Sequence, residues 1–163
     1  MKTFIQNNQR SLFYGIWLLF CIVQASLTEL LDDEAYYWVF SQYLDWGYFD
    51  HPPMIALLIK MGYSIFPNEL GVRLFPVILN VLSLVIIEKL ITKKNFKLFC
   101  CIALSIAALQ LGCFVAVPDI PLIFFTALFF LCYNRFILIQ SLLNTLLLGI
   151  SVTLLLYSMV FTV

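Results

Sequence analysis

Charge is what this sequence has least of. Asp, Glu, Lys and Arg together make up 11% of its 163 residues, against about 25% in an ordinary soluble domain. Hydrophobic residues make up 63% and the mean hydropathy is +1.02, which excludes a soluble globular class. Nine basic residues balance nine acidic ones, so no excess of positive charge points to nucleic acid as a partner. Histidine occurs once, at His51. The five cysteines (Cys21, Cys100, Cys101, Cys113 and Cys132) sit inside apolar runs, with no Cys-x-x-Cys pair. That set builds no local zinc motif, and the thiols read as small buried apolar side chains. The sequence shows no internal repeat and no low-complexity tract. It also lacks a small-x-small cleavage site ahead of its first acidic cluster, so the apolar run over residues 12–31 reads as an uncleaved membrane helix rather than a signal peptide.

What is there is a series of apolar runs near the length of about 20 residues that crosses a bilayer. Residues 12–31, 71–91, 99–117, 122–133 and 142–163 are expected to span, giving an all-α polytopic membrane bundle of about five helices. The amino-terminal stretch carries Lys2 and Arg10 and no acid, and Lys89, Lys93, Lys94 and Lys97 follow the second span. The positive-inside rule puts both regions in the cytoplasm, and the sequence reads as a multi-pass protein of a bacterial inner membrane. An odd number of crossings must then separate the first outer loop from the lysine loop. Residues 54–66 are therefore expected to be juxtamembrane or re-entrant and not to span.

The scarce acids are concentrated. Asp32, Asp33, Glu34, Asp45 and Asp50 are five of nine, and with His51 they fall in the single outer stretch Leu31–Pro53. Charge beside lipid is costly unless paired or used, so this stretch reads either as a solvated loop or as a site. Residues 33–46 predict a short amphipathic helix, capped by Asp32. Tyr36, Val39, Phe40 and Tyr43 form its apolar stripe, suited to the membrane interface. Asp119, between Pro118 and Pro121 on the same face, reads as a helix cap or as a second acidic site residue. Arg73 lies near that face too, either snorkelling to headgroups or meeting a phosphate.

Four motifs in order carry a resemblance: Asp33-Glu34-Ala35-Tyr36-Tyr37, Tyr48-Phe49-Asp50-His51-Pro52-Pro53, Arg73-Leu74-Phe75-Pro76 and Pro118-Asp119-Ile120-Pro121. From about residue 12 onward, the chain resembles the GT-C membrane glycosyltransferases that use polyprenyl-phosphate sugars. Its nearest likeness is to the dolichyl-phosphate-mannose protein mannosyltransferases and the lipid A aminoarabinose transferases. The resemblance implies transfer of a sugar from a polyprenyl-phosphate donor to a protein or glycolipid acceptor at the outer face, with inversion at the anomeric carbon. It implies catalytic roles for Asp33, as base, and for Asp119 and Glu34. It further implies substrate contacts from His51, Arg73 and Tyr37. Asp50 becomes a metal ligand, with Mg²⁺ or Mn²⁺ the cation that hard oxygen donors favour. Family members often have Lys where this chain has His51, and an imidazole is charged only part of the time near neutral pH.

Such enzymes run to several hundred residues, so residues 1–163 are expected to be the amino-terminal part of a catalytic domain. Its outer catalytic loop would span about residues 32–70, and the chain alone would be inactive. The alternatives are an ion-coupled transporter or channel fragment lined by Asp33, Asp50 and Asp119, and a structural subunit using the loop as a contact. Transporter sites lie near mid-membrane, whereas these acids fall at helix ends.

Overall fold

The computed structural model describes residues 2–92, 95–106, 109–110 and 112–159, with side chains from Asn8 onward. Lys93 and Lys94 of the lysine loop lie outside the described residues, as do residues 160–163 of the last apolar run. Every regular element among the described residues is a helix: α1 (Lys2–Leu27), α2 (Asp32–Gln42), α3 (Pro53–Ile65), α4 (Glu69–Leu90), α5 (Phe96–Ser105), α6 (Asp119–Leu138) and α7 (Leu142–Tyr157). Three of them contain apolar stretches long enough to cross a membrane: Asn8–Leu27, Glu69–Leu90 and Asp119–Leu138. Leu12, Ile16, Leu19, Phe20 and Val23 line an exposed apolar face of α1, as lipid contact requires. The protein is a helical membrane bundle.

Three of the five expected spans are thus long continuous helices, and two differ from expectation. The run over residues 99–117 is not one helix. α5 has 10 residues, about 15 Å at 1.5 Å per residue, and residues 112–118 are non-helical. Within that non-helical stretch the Ala116 amide N–H bonds to the Glu34 carboxylate at 2.7 Å, not to a carbonyl one turn back. α7 has 16 residues, about 24 Å. The 13-residue α3 is too short for a core about 30 Å thick. Pro53 starts it and Pro52 occupies its N-cap, where a missing amide N–H costs nothing.

α1 and α4 run antiparallel and are joined by polar contacts at three levels. Near the start of α1, Arg10 Nε meets Glu88 Oε1 at 2.6 Å and the Tyr14 hydroxyl donates to Glu88 Oε2 at 2.9 Å. In the middle, buried Trp17 Nε1 donates to Asn80 Oδ1 at 3.1 Å, giving an amide inside an apolar span the partner it needs. Between these levels Trp17, Cys21 and Ala25 pack on Val77, Val81 and Leu84. The other two cores join α2 and α3 to α4 through Tyr37, Ile55, Ile59 and Val72, and α3 and α4 to α6 and α7 through Met54, Leu58, Leu79 and Phe125.

The third level is an ion pair at the far end of α1, where Arg73 and Glu34 are both fully buried. Arg73 Nε and Nη2 reach the two Glu34 carboxylate oxygens at 2.8 and 2.5 Å. Its remaining N–H groups donate to the carbonyls of Ala25, Thr28 and Glu29 and to the Thr28 hydroxyl, at 2.7–3.1 Å. Those carbonyls belong to the last turn of α1 and the chain leaving it, where a helix lacks internal donors and favours a cation. Glu34 in turn accepts from the Leu31 N–H at 3.0 Å and from Ala116. The cap of α2 therefore differs from expectation. Asp32 is its first residue, Leu31 is the N-cap, and Glu34 at the third position reaches back to close the turn.

α3 turns into α4 at close quarters. A Cβ on Gly62 would overlap the Gly71 carbonyl oxygen, and one on Gly71 would overlap that of Phe66. Backbone on both sides leaves no flexible side chain to yield. Gly62→Ala and Gly71→Ala should each cut the amount of folded protein recovered from membranes, whereas Gly15→Ala, which meets open space, should not. Fluorescence size-exclusion chromatography in mild detergent measures this, and an unchanged monodisperse peak for Gly71→Ala would contradict the hairpin geometry.

Burial alone would raise the Glu34 carboxyl. The Arg73 hydrogen bonds and the Ala116 and Leu31 N–H groups outweigh it and hold the group below its ordinary 4.5. A depressed folded-state value adds stability that is present above the unfolded value and lost as pH falls through the folded one. The melting temperature in detergent should thus hold down to about pH 5 and drop below about pH 4.5. In Glu34→Leu/Arg73→Met this contribution to the acid decline should be absent.

Candidate functional site

The α2 end of the bundle gathers carboxylates from three separate segments. Asp33 is the second residue of α2, Asp50 lies in the loop ahead of Pro52-Pro53, and Asp119 opens α6. All three are exposed. Tyr37 sits among them. Its ring is buried against Ile55, Ile59, Val72 and Ala116. Burial raises its phenol above 10, and Asp33, Asp119 and Asp50, in that order, raise it further by their charge. The hydroxyl therefore stays protonated at physiological pH, in the field of three acids that the chain separates by up to 86 positions.

α2 buries an unexpected face. Glu34, Tyr37 and Ser41 are turned inward, one turn apart at helical spacing. Tyr36, Val39 and Tyr43 of the predicted apolar stripe are exposed and only Phe40 is partly covered. The stripe faces away from the bundle because Glu34 must reach Arg73, and that single contact sets the rotation of the helix.

Beside Tyr37 the loop is built from aromatic rings. Tyr48 stacks on Phe40 at 4.2 Å and its hydroxyl donates to the carbonyls of Phe40 and Tyr43 at 2.9 and 3.0 Å, tying the loop to the end of α2. His51 packs edge-on against Tyr37 and Tyr36, with centroids 4.9 and 5.4 Å apart, and its Nε2 lies 3.5 Å from Asp50 Oδ2. The Tyr36 hydroxyl makes long hydrogen bonds of 3.4 Å to both Asp50 oxygens, and the Asp50 charge helps to raise that phenol. The imidazole is thus held between a carboxylate and two rings.

Of the residues singled out from sequence, Asp33, Tyr37, Asp50, His51 and Asp119 come together. Glu34 and Arg73 do not join them at the surface. Every Arg73 N–H is engaged inside the protein, so the expected phosphate contact has no free donor, and the expected catalytic Glu34 is sealed from solvent. Asp119 does not cap α6: Pro118 is the N-cap and no side-chain cap bond forms. As for the expected cation, no three His, Cys, Asp or Glu side chains among the described residues converge closely enough to hold a metal ion. Sequence reasoning missed the Ala116 amide and the Thr28 hydroxyl and carbonyl. Backbone donors and acceptors leave no composition signal, and Thr28 is one residue in a polar turn.

A family model described as dolichyl-phosphate-mannose-protein mannosyltransferase matches residues 50–163, a stretch that includes Asp50, His51, Arg73 and Asp119. A lipid A galacturonosyltransferase of Rhizobium johnstonii is 54% identical over 33 residues, which are 20% of this chain and 7% of that relative. The chain therefore aligns with only a small part of that relative's length. No solved structure matches the chain. The family match covers more than half of the sequence and falls on the helical membrane bundle that carries Asp50, His51 and Asp119. The chain belongs to the dolichyl-phosphate-mannose-protein mannosyltransferase family.

Proposed function

We propose that the protein acts in glycosyl transfer, moving a sugar from a polyprenyl-phosphate donor to a protein or glycolipid acceptor at the outer face of the membrane. What carries the reading is the family match together with one cluster: His51 stands edge-on to Tyr37 beside Asp50, and Tyr37 packs on Ala116, three residues ahead of Asp119. In the reaction the bond from the anomeric carbon to the phosphate oxygen breaks as the acceptor oxygen or nitrogen bonds to that carbon from the opposite side. The acceptor proton passes to Asp33, an exposed carboxylate beside the site. Polyprenyl phosphate leaves with the electron pair, and the configuration inverts. Asp119 lines the acceptor side. The Tyr37 hydroxyl and the His51 imidazole supply hydrogen-bond donors where negative charge develops on the leaving group. Asp50 orients His51. Asp33→Asn should lower turnover at least ~100-fold, the lower range for loss of a general base, with donor binding changed far less. Single-turnover assays on full-length protein in liposomes measure it, and near-normal turnover would remove Asp33 from the mechanism.

The same reading gives an orientation. The α2 end would face outward and the end carrying Arg10, Glu88 and Lys97 would face the cytoplasm, in an inner membrane, following the lysine bias. Phe49 is almost wholly exposed and Lys97 is exposed, so single cysteines at these positions in a cysteine-free background report it. A membrane-impermeant maleimide should label position 49 in intact cells and position 97 only after permeabilisation. Labelling of position 97 from outside would reverse the orientation.

A further inference from the structure

We propose that Glu34 is a positioning residue that holds Asp33 and Asp119 in register, through its hydrogen bond to the Ala116 amide. The kinetic part of this proposal rests on the transferase reading, and the geometric part does not.

One carboxylate joins four pieces of chain. Glu34 lies next to Asp33 in α2, and its oxygens accept from the Leu31 N–H behind it, from Ala116 N–H and from Arg73 of α4. Arg73 carries the connection on to the last turn of α1. Ala116 is fully buried and stands three residues before Asp119. Just beyond Asp119, Ile120 N–H returns to the Val117 carbonyl at 3.2 Å, so the first turn of α6 is tied to the residue that follows Ala116. Residues 112–118 lie outside any helix; Ala116 packs in the core around Tyr37, and the Pro118 carbonyl already accepts from Leu122 N–H of α6 at 3.3 Å. The side-chain acceptor for Ala116 N–H is Glu34, 82 positions away. Asp33 and Asp119 thus sit on either side of one hydrogen bond, each within a few residues of it.

Arg73 and Ala116 ask different things of Glu34. The guanidinium needs a negative charge, whereas the amide needs only an oxygen. Two double variants separate them. Both replace Arg73 with Met, which removes the charge that would otherwise be buried alone, a change often tolerated when both partners go together. Glu34→Gln/Arg73→Met keeps an oxygen at the position facing Ala116 N–H, and Glu34→Leu/Arg73→Met does not.

Nitroxide labels at exposed Ala35 in α2 and exposed Ile123 in α6, on full-length protein in liposomes with its native cysteines replaced, read the register directly. Double electron–electron resonance should give a narrow distance distribution for the unsubstituted pair and for Glu34→Gln/Arg73→Met, and a broad or displaced one for Glu34→Leu/Arg73→Met. A distribution equally narrow in both variants would overturn the proposal. In the transfer assay, the Leu variant should lose about 10–100-fold in kcat relative to the Gln variant, the scale on which misplacement by about 1 Å acts, with KM within about twofold. Equal kcat in the two variants would also overturn it. If unsubstituted protein transfers no sugar yet the Leu variant alone broadens, the transferase reading fails and the positioning role stands.

Discussion

One buried ion pair organises the end of the molecule where the acids meet. Arg73 and Glu34 are the only oppositely charged pair fully removed from solvent among the described residues. Burying charge is tolerable when every lone pair and proton is met, and here each is: two carboxylate oxygens take four donors, and the guanidinium fills its N–H groups on the carboxylate and the end of α1. The last turn of α1, the first turn of α2, the outer end of α4 and the segment entering α6 therefore share one polar centre. That centre cannot shift at one segment without stranding a charge or an amide at another.

The centre bears on both the rotation of α2 and the non-helical segment entering α6. An amphipathic helix ordinarily turns its apolar stripe to the core. α2 instead buries Glu34, Tyr37 and Ser41 and leaves Tyr36, Val39 and Tyr43 outward, because satisfying Arg73 is worth more than covering a few aromatic edges. The same rotation carries the Tyr37 ring inward, beneath Asp33, and leaves room for His51 to stand edge-on against it. In the non-helical segment ahead of α6, the other acceptor position of Glu34 takes the Ala116 amide. A helical span through these residues would have put Asp119 elsewhere.

Much of the fold was legible in the residues. Long apolar runs gave the membrane helices of α1, α4 and α6, and two consecutive prolines announced the start of α3. The parity of the lysine loop argued that residues 54–66 do not span, and the structure has there a helix of 13 residues. Asp33, Tyr37, Asp50, His51 and Asp119 were visible as candidates because polar residues are so scarce here that each draws attention. Arg73 and Glu34 stand out for the same reason, but their pairing with each other inside the protein does not. A single sequence shows that a charge exists, and not whether its partner is a ligand or another residue 39 positions away.

Composition and periodicity alone determined that this is a helical membrane protein with its acids concentrated in one stretch, since hydropathy and charge act residue by residue and are read without coordinates. Tertiary structure decided which of those charges neutralise one another inside and which remain open at the surface. It also decided that Tyr37, not Arg73, stands among the three exposed carboxylates. Those outcomes depend on distances between segments far apart in the chain, and on backbone amides and carbonyls that every sequence contains and none reveals.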